Sequence, residues 1–128
     1  MSYYFNKTLS VSFDEAVAKV TAELKKVGFG ILTEIDVKET LKKKIDVDFR
    51  KYKIFGACNP PFAYKALQAE DKIGLMLPCN VIVQELSEKE VEVAVVDPAA
   101  AMVGIDNLGL KDVVAEVRTK LRSAVDNL

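Results

Sequence analysis

A chain of 128 residues with no histidine, a net charge of −1 and a sequence pI of about 5.5 excludes several classes of protein. Without histidine there is no Ser-His-Asp or Cys-His catalytic arrangement and no imidazole metal ligand, so catalysis would need cysteine, lysine, tyrosine or carboxylates. The near-neutral charge offers no broad basic surface to nucleic acid, and no apolar run approaches the roughly 20 residues of a membrane-spanning helix, so neither partner is expected.

Apolar periodicity and turn residues divide the chain into five predicted strands and four predicted helices. The predicted elements, in chain order, are strand 3–10, helix 13–27, strand 29–35, helix 37–45, strand 52–56, helix 60–69, strand 73–86, strand 91–96 and helix 110–125. Pro78 interrupts the long strand 73–86, and Gly56 is expected to end the strand before it. The short connection 87–89 predicts that the last two strands pair antiparallel.

Helix starts are marked by capping residues. Ser12 is expected to cap the first helix while Glu15 reaches back to its backbone N–H, and Gly28 is expected to stop that helix. Asp36 is expected to cap the second helix, and Asn59 the third. The first and last helices each carry one apolar stripe, which predicts that both cover the sheet on the same face. The expected fold class is therefore an α+β two-layer sandwich.

No linker or repeat divides the chain, so a single domain spanning residues 1–128 is expected. The first nine residues lack the basic stretch, apolar segment and cleavage site of a secretory signal, so the expected location is the cytoplasm. Residues 97–102, Asp-Pro followed by small apolar residues, are expected to form a turn and a weakly structured link.

Two cysteines lie in similar prolyl-punctuated settings, Gly56-Ala-Cys-Asn-Pro-Pro61 and Leu77-Pro-Cys-Asn80. Cys58 precedes a helix start whose partial positive charge would favour a thiolate, while the parity of Cys79 with Val81 and Val83 favours burial in the core. A reducing compartment disfavours a disulfide, and two thiols without histidine fall short of the four ligands of zinc, so no metal and no cofactor are expected. Whether Cys58 and Cys79 approach each other depends on a strand order that the sequence leaves open.

Each cysteine is followed by an asparagine. Capping accounts for Asn59, whereas Asn80 places a polar amide inside an apolar strand, where it needs partners if buried or else faces a polar pocket. The four tyrosines Tyr3, Tyr4, Tyr52 and Tyr64 are each expected at a core edge, with the ring packed and the hydroxyl in water.

Several segments together resemble the bacterial and archaeal family called domain of unknown function 302. The segments are Tyr52-Lys-Ile-Phe-Gly-Ala-Cys-Asn-Pro-Pro61, Ala63-Tyr-Lys-Ala-Leu67, Gly74-Leu-Met-Leu-Pro-Cys-Asn-Val81 and Val95-Val-Asp-Pro98. The resemblance implies a fold similar to half of the TATA-binding protein, a β-α-β(4)-α order with a curved antiparallel sheet, and a homodimer. It implies no activity, and the short helices 37–45 and 60–69 are then insertions between strands.

The leading functional hypothesis is a small-ligand-binding module with a site at Cys58, Asn59, Cys79 and Asn80, and a small molecule as its expected partner. The first alternative is a thiol-dependent redox enzyme or sulfur carrier that uses Cys58. The second is a homodimeric structural or interaction protein without a ligand. The residues do not decide whether the protein is an enzyme.

Overall fold

One open antiparallel sheet of five strands organises the protein, in the spatial order β1-β5-β4-β3-β2. A computed structural model describes residues 2–128. Its strands and α-helices are β1 Tyr4–Leu9, α1 Phe13–Lys26, β2 Gly30–Asp36, α2 Val37–Ile45, β3 Tyr52–Cys58, α3 Pro60–Ala69, β4 Cys79–Ser87, β5 Glu90–Val96, α4 Pro98–Ala101 and α5 Lys111–Asp126. Two 3₁₀ turns, Asp71–Met76 and Leu108–Leu110, precede β4 and α5. None of the helices in this part of the chain has the length and apolar character to cross a membrane.

Local sequence signals set the bounds of α1 and α2. The Ser12 hydroxyl accepts a hydrogen bond from the Glu15 backbone N–H at 3.2 Å, and the Asp36 carboxylate accepts one from the Glu39 backbone N–H at 3.0 Å. Gly28 adopts a φ of +90° directly after α1, a backbone conformation that residues other than glycine rarely adopt. The predicted Ser12 and Asp36 caps and the stop of the first helix are confirmed. The Glu15 carboxylate accepts from the Ser12 hydroxyl at 3.4 Å instead of from the Ser12 backbone N–H, so that part of the prediction is corrected.

The sheet has two different faces because successive side chains along a strand point to opposite sides. One face, called the covered face below, packs against α1 and α5 and forms the main core. Its central residues are fully buried valines on neighbouring strands: Val81, Val83, Val91, Val93 and Val95. The intervening residues form the other face, called the open face. The predicted α+β sandwich with two long helices on one face of the sheet is confirmed.

The long strand predicted over 73–86 is wrong in its first part, because β4 begins only at Cys79. The preceding segment Asp71–Met76 is a 3₁₀ turn that buries Ile73 against Ala66 and Leu110 in a second, smaller core cluster. Burial of one apolar side chain every few residues suits a turn of helix as well as a strand, so periodicity in this short segment was ambiguous.

Gly56 does not end β3, which continues to Cys58, so that prediction is also wrong. The glycine serves close packing instead. A Cβ atom on Gly56 would collide with the Thr33 hydroxyl and would lie 2.5 Å from Cγ of Pro78. Glycine is therefore the residue that lets β2, β3 and the start of β4 approach one another here.

The link predicted over 97–102 contains the short helix α4. The Asp97 side chain caps it by accepting from the Ala99 backbone N–H at 3.0 Å. Asp97 is buried, and the guanidinium of Arg118 on α5 donates to both of its carboxylate oxygens at 3.1 Å. This ion pair ties the end of β5 to the last helix, so the segment is more ordered than its small apolar residues indicated.

Candidate functional site

Three of the four predicted site residues, Cys58, Asn59 and Cys79, line one cavity between the end of the sheet and helices α3 and α5. The cavity measures about 40 Å³ and its walls are almost entirely apolar side chains. That volume holds roughly one water molecule, far below the several hundred Å³ of a typical ligand pocket. The structure therefore gathers these residues around a gap in the core rather than a ligand-sized pocket.

Cys79 is a core residue with 6% of its surface exposed. Burial, followed by the nearby Cys58, raises the pKa of the Cys79 thiol from 9.0 to about 11. The thiol is thus neutral at pH 7, and a neutral thiol is a poor nucleophile. Packing accounts for Cys79, as its parity with Val81 and Val83 indicated.

Cys58 is half-buried and is the last residue of β3. Its neighbour Ala57 pairs with Cys79 across β3 and β4, so the two cysteines lie one residue apart in register. The strand order brings the two cysteines near each other, and both remain free thiols.

Asn59 occupies the N-cap position of α3, as predicted, but its side chain makes no capping hydrogen bond. Its amide instead donates to the Val27 carbonyl oxygen at 3.4 Å. A Cβ on Gly28 would lie 2.8 Å from the same amide nitrogen. Asn59 therefore joins the start of α3 to the end of α1, and the predicted capping role is corrected to this tertiary contact.

Asn80 lies on the opposite side of the sheet from Cys79, exposed on the open face. There it lines a groove of about 450 Å³. Register places the groove across β1, β5, β4 and β3, with Ile82 and Ala94 paired at its centre. The full lining is Tyr3, Tyr4, Tyr52, Asn80, Ile82, Gln84, Glu92, Ala94, Val95 and Val96.

A chain of hydrogen bonds passes through Gln84 and Glu92 in one wall of this groove and continues to Arg50 and Asn6 outside the lining. Arg50 Nε donates to Gln84 Oε1 at 2.9 Å, and Gln84 Nε2 donates to Glu92 Oε1 at 2.8 Å. Asn6 Nδ2 on the edge strand donates to Glu92 Oε2, also at 2.8 Å. These hydrogen bonds fix the orientation of the Gln84 amide, because its oxygen faces a cation and its nitrogen faces a carboxylate.

The interpretation of the sequence missed most residues of this groove. Tyr3, Tyr4 and Tyr52 were predicted at core edges, and Gln84 and Glu92 were given no role. A usable signal was present, because Asn80, Gln84 and Glu92 share the parity opposite to the buried valines. Two strands that carry polar residues at alternate positions and pair antiparallel place those residues on one face.

The fold and this arrangement define a two-layer α+β protein with one uncovered sheet face. A solved structure, the uncharacterised conserved protein DUF302 from Bacillus stearothermophilus, has a similar fold, with a TM-score of 0.89 over 98% of this chain and 98% of that chain at 24% identity. The family model of the domain of unknown function DUF302 matches residues 5–128. The chain belongs to the DUF302 family, as the Cys-Asn-Pro and Leu-Pro-Cys-Asn segments predicted.

No curated protein matches the chain. Across residues 2–128, histidine, cysteine, aspartate and glutamate side chains form no group of three or more that could hold a metal ion.

Proposed function

We propose that this protein is a small-molecule-binding module whose ligand lies in the groove on the open face. The observation that carries the proposal is a groove of about 450 Å³ that combines an apolar floor with a wall of oriented hydrogen-bonding side chains. Ligand sites in proteins are concave, mostly apolar and furnished with a few positioned polar groups.

The volumes favour this groove over the cysteine cavity. The groove is more than ten times larger than the cavity of about 40 Å³ beside Cys58 and Cys79. Asn80 is the member of the predicted site that lines the groove. The proposed site therefore keeps Asn80 and adds Tyr52, Gln84 and Glu92.

The thiol-dependent alternative, a redox enzyme or sulfur carrier using Cys58, has one observation in its favour. Cys58 is half-buried and directly precedes the N-cap of α3, where the helix end favours an anion. Against it, the cavity that Cys58 lines measures only about 40 Å³, and the neighbouring Cys79 thiol is neutral at pH 7. Ligand binding on the open face has the stronger support.

We also propose that two copies of the chain associate along β2, an edge of the sheet. An irregularity in the pairing with β3 falls between Ile31 and Thr33, and Leu32 at this point is 66% exposed. Ile35 on the same strand is 49% exposed. An edge strand with exposed aliphatic side chains is a surface that pairing with a second chain would cover. A dimer formed there leaves the groove open.

The proposed function is tested by ligand-induced stabilisation. The melting temperature is measured with a panel of small aromatic amines, acids and alcohols, for the wild type and for Ala94→Trp, whose indole would fill the groove floor. At least one compound should raise the melting temperature of the wild type, because a ligand that binds the native state stabilises it, and Ala94→Trp should lose that shift. Leu86→Trp, which places the same indole on β4 outside the groove, should keep it. The proposal would be contradicted if no compound raised the melting temperature of the wild type, or if a compound raised that of Ala94→Trp equally.

A further inference from the structure

We infer that the groove selects cationic amines that carry an apolar or aromatic body, with Glu92 as the group that receives the ammonium. This inference depends on the proposed function and assigns a ligand class to the same site. It follows from the charge of the lining, the free bonding capacity of Glu92, and the placement of the apolar floor.

The charge of the groove is negative. Among its lining residues Glu92 alone carries a full charge at neutral pH, and the other polar members are three tyrosines and two amides. Arg50, which ends the hydrogen-bond chain, is not a lining residue but borders the groove, with its guanidinium carbon 4.4 Å from the Phe49 ring centroid and 5.7 Å from that of Tyr52. Its guanidinium donates to Gln84 and not to Glu92. A carboxylate or phosphate ligand would meet Glu92 with no cation in the lining to balance it, whereas an ammonium group would be attracted.

Glu92 retains bonding capacity for such a ligand. Each of its two oxygens accepts one amide N–H, from Gln84 and from Asn6, and a carboxylate oxygen has two lone pairs. Both donors are neutral amides, so no positive charge on these partners compensates the carboxylate. The amides hold the carboxylate in place while one acceptor position on each oxygen stays available.

The rest of the groove suits an apolar body. Ile82 and Ala94 form the floor beside Glu92, and the small side chain of alanine makes the depression. The groove extends along β4 from Asn80 to Gln84, four residues apart, which is roughly 13 Å at the usual rise of a strand. An arylalkylamine can place its ring on the floor with its ammonium at Glu92. The ring of Tyr4 adds a face that attracts cations, whereas the ring of Tyr52 already has the Arg50 guanidinium carbon 5.7 Å from its centroid.

A matched pair of probes tests the assignment. Phenethylamine and hydrocinnamate share a phenyl ring on a short chain but carry opposite charges. Backbone amide NMR spectra are recorded during titration of each probe into the wild type, Glu92→Gln and Glu90→Gln. Glu90 is exposed on the same strand, outside the groove, and its replacement changes the net charge equally.

Phenethylamine should give saturable shifts on β4 and β5, and Glu92→Gln should weaken its binding about tenfold or more, as expected for loss of a charged hydrogen bond. Glu90→Gln should leave the affinity within about twofold, because an exposed charge outside the site contributes little. Saturable binding of hydrocinnamate in the groove, equal to or tighter than that of phenethylamine, would overturn the amine assignment and leave the proposed function standing. Equal weakening by both variants would also overturn it. Saturable groove shifts from neither probe would overturn the assignment, and the separate melting-temperature panel would then decide the proposed function.

Discussion

The two faces of the sheet are built from the same strands by alternate residues, yet they differ in kind. On the covered face β4 and β5 place valine after valine against α1 and α5. On the open face the intervening positions hold asparagine, isoleucine, glutamine, glutamate and alanine. The covered face is explained by burial alone, since each valine removes apolar surface from water.

The open face is not explained in that way. A solvated sheet face needs polar residues, but it does not need a carboxylate held by two amides beside a concave apolar floor. The comparison shows that the side chains whose arrangement is not explained by packing lie on the open face. That is the physical reason for placing function there.

The largest effect on stability should come from truncating a buried side chain on the covered face. Val83→Ala removes two methyl groups from a fully buried position and should lower the free energy of unfolding by about 2–4 kcal/mol. The neighbouring replacement Ile82→Ala removes more atoms on the open face and should cost less than about 1.5 kcal/mol, because Ile82 is half-exposed. Urea unfolding of the two variants measures both values. A cost for Ile82→Ala equal to that for Val83→Ala would mean that the open face is also a packed core.

Alkaline pH should lower the free energy of unfolding because the buried Cys79 thiol on the covered face resists ionisation. Its pKa is raised from 9.0 to about 11 in the folded protein, so between these values the unfolded chain loses a proton that the folded chain keeps. Stability is unaffected below pH 9 and falls as the pH rises to 11, by up to about 2–3 kcal/mol.

The difference in unfolding free energy between the wild type and Cys79→Ala, followed from pH 8 to pH 11, isolates this effect from other titrating groups. As the pH rises, the unfolding free energy of the wild type should fall relative to that of Cys79→Ala. Cys58→Ala, as the control, should still lose stability over this range, because burial is the larger cause of the raised Cys79 pKa. A constant gap for Cys79→Ala would show that the thiol ionises freely in the folded protein.

Gly56 marks a position on the open face where only hydrogen fits. Gly56→Ala should destabilise the protein by about 1–3 kcal/mol, because its Cβ would press on Thr33 and Pro78. The matched control is Gly30→Ala, since a Cβ there meets nothing within 4 Å. Thermal melts of the pair should separate them clearly. Similar melting temperatures would show that β4 and its preceding proline shift without cost.

The smallest effect on stability should come from the edge of the sheet. Leu32→Lys changes an exposed side chain and should alter the unfolding free energy of the subunit by less than about 0.5 kcal/mol. If the proposed dimer forms along β2, the same variant should shift light scattering from twice the chain mass toward 14.1 kDa. The control Leu86→Lys, on an exposed leucine of β4, should leave the mass unchanged. A wild type that scatters as a monomer at micromolar concentration would refute the dimer.

The fold was largely predictable because each signal was local. Ser12, Gly28 and Asp36 act on their own backbone, and the alternation of valines along β5 fixes which side is buried. The 3₁₀ turn over 71–76 and the role of Gly56 were not predictable in this way, since both depend on residues distant in sequence, such as Leu110 and Thr33.

The candidate site was predicted only in part for the same reason. Cys58, Asn59 and Cys79 attracted attention through their motif, but the size of the cavity they line depends on how α3 and α5 pack. The groove joins Tyr4 to Tyr52, and that proximity depends on strand order. Strand order is a global property that the spacing of residues along the chain does not encode.

The central claim is that the open face, and not the cysteine cavity, receives the ligand. Methyl NMR spectra of the wild type with phenethylamine and, separately, with hydrocinnamate test it most directly. The account predicts saturable shifts of the Ile82 and Ala94 methyl groups with at least one of the two probes, while the methyl groups of Ala57 and Ala66, which line the cavity, stay unchanged. Saturable shifts at Ala57 and Ala66 with Ile82 and Ala94 unmoved would contradict the account and return the site to the cysteines.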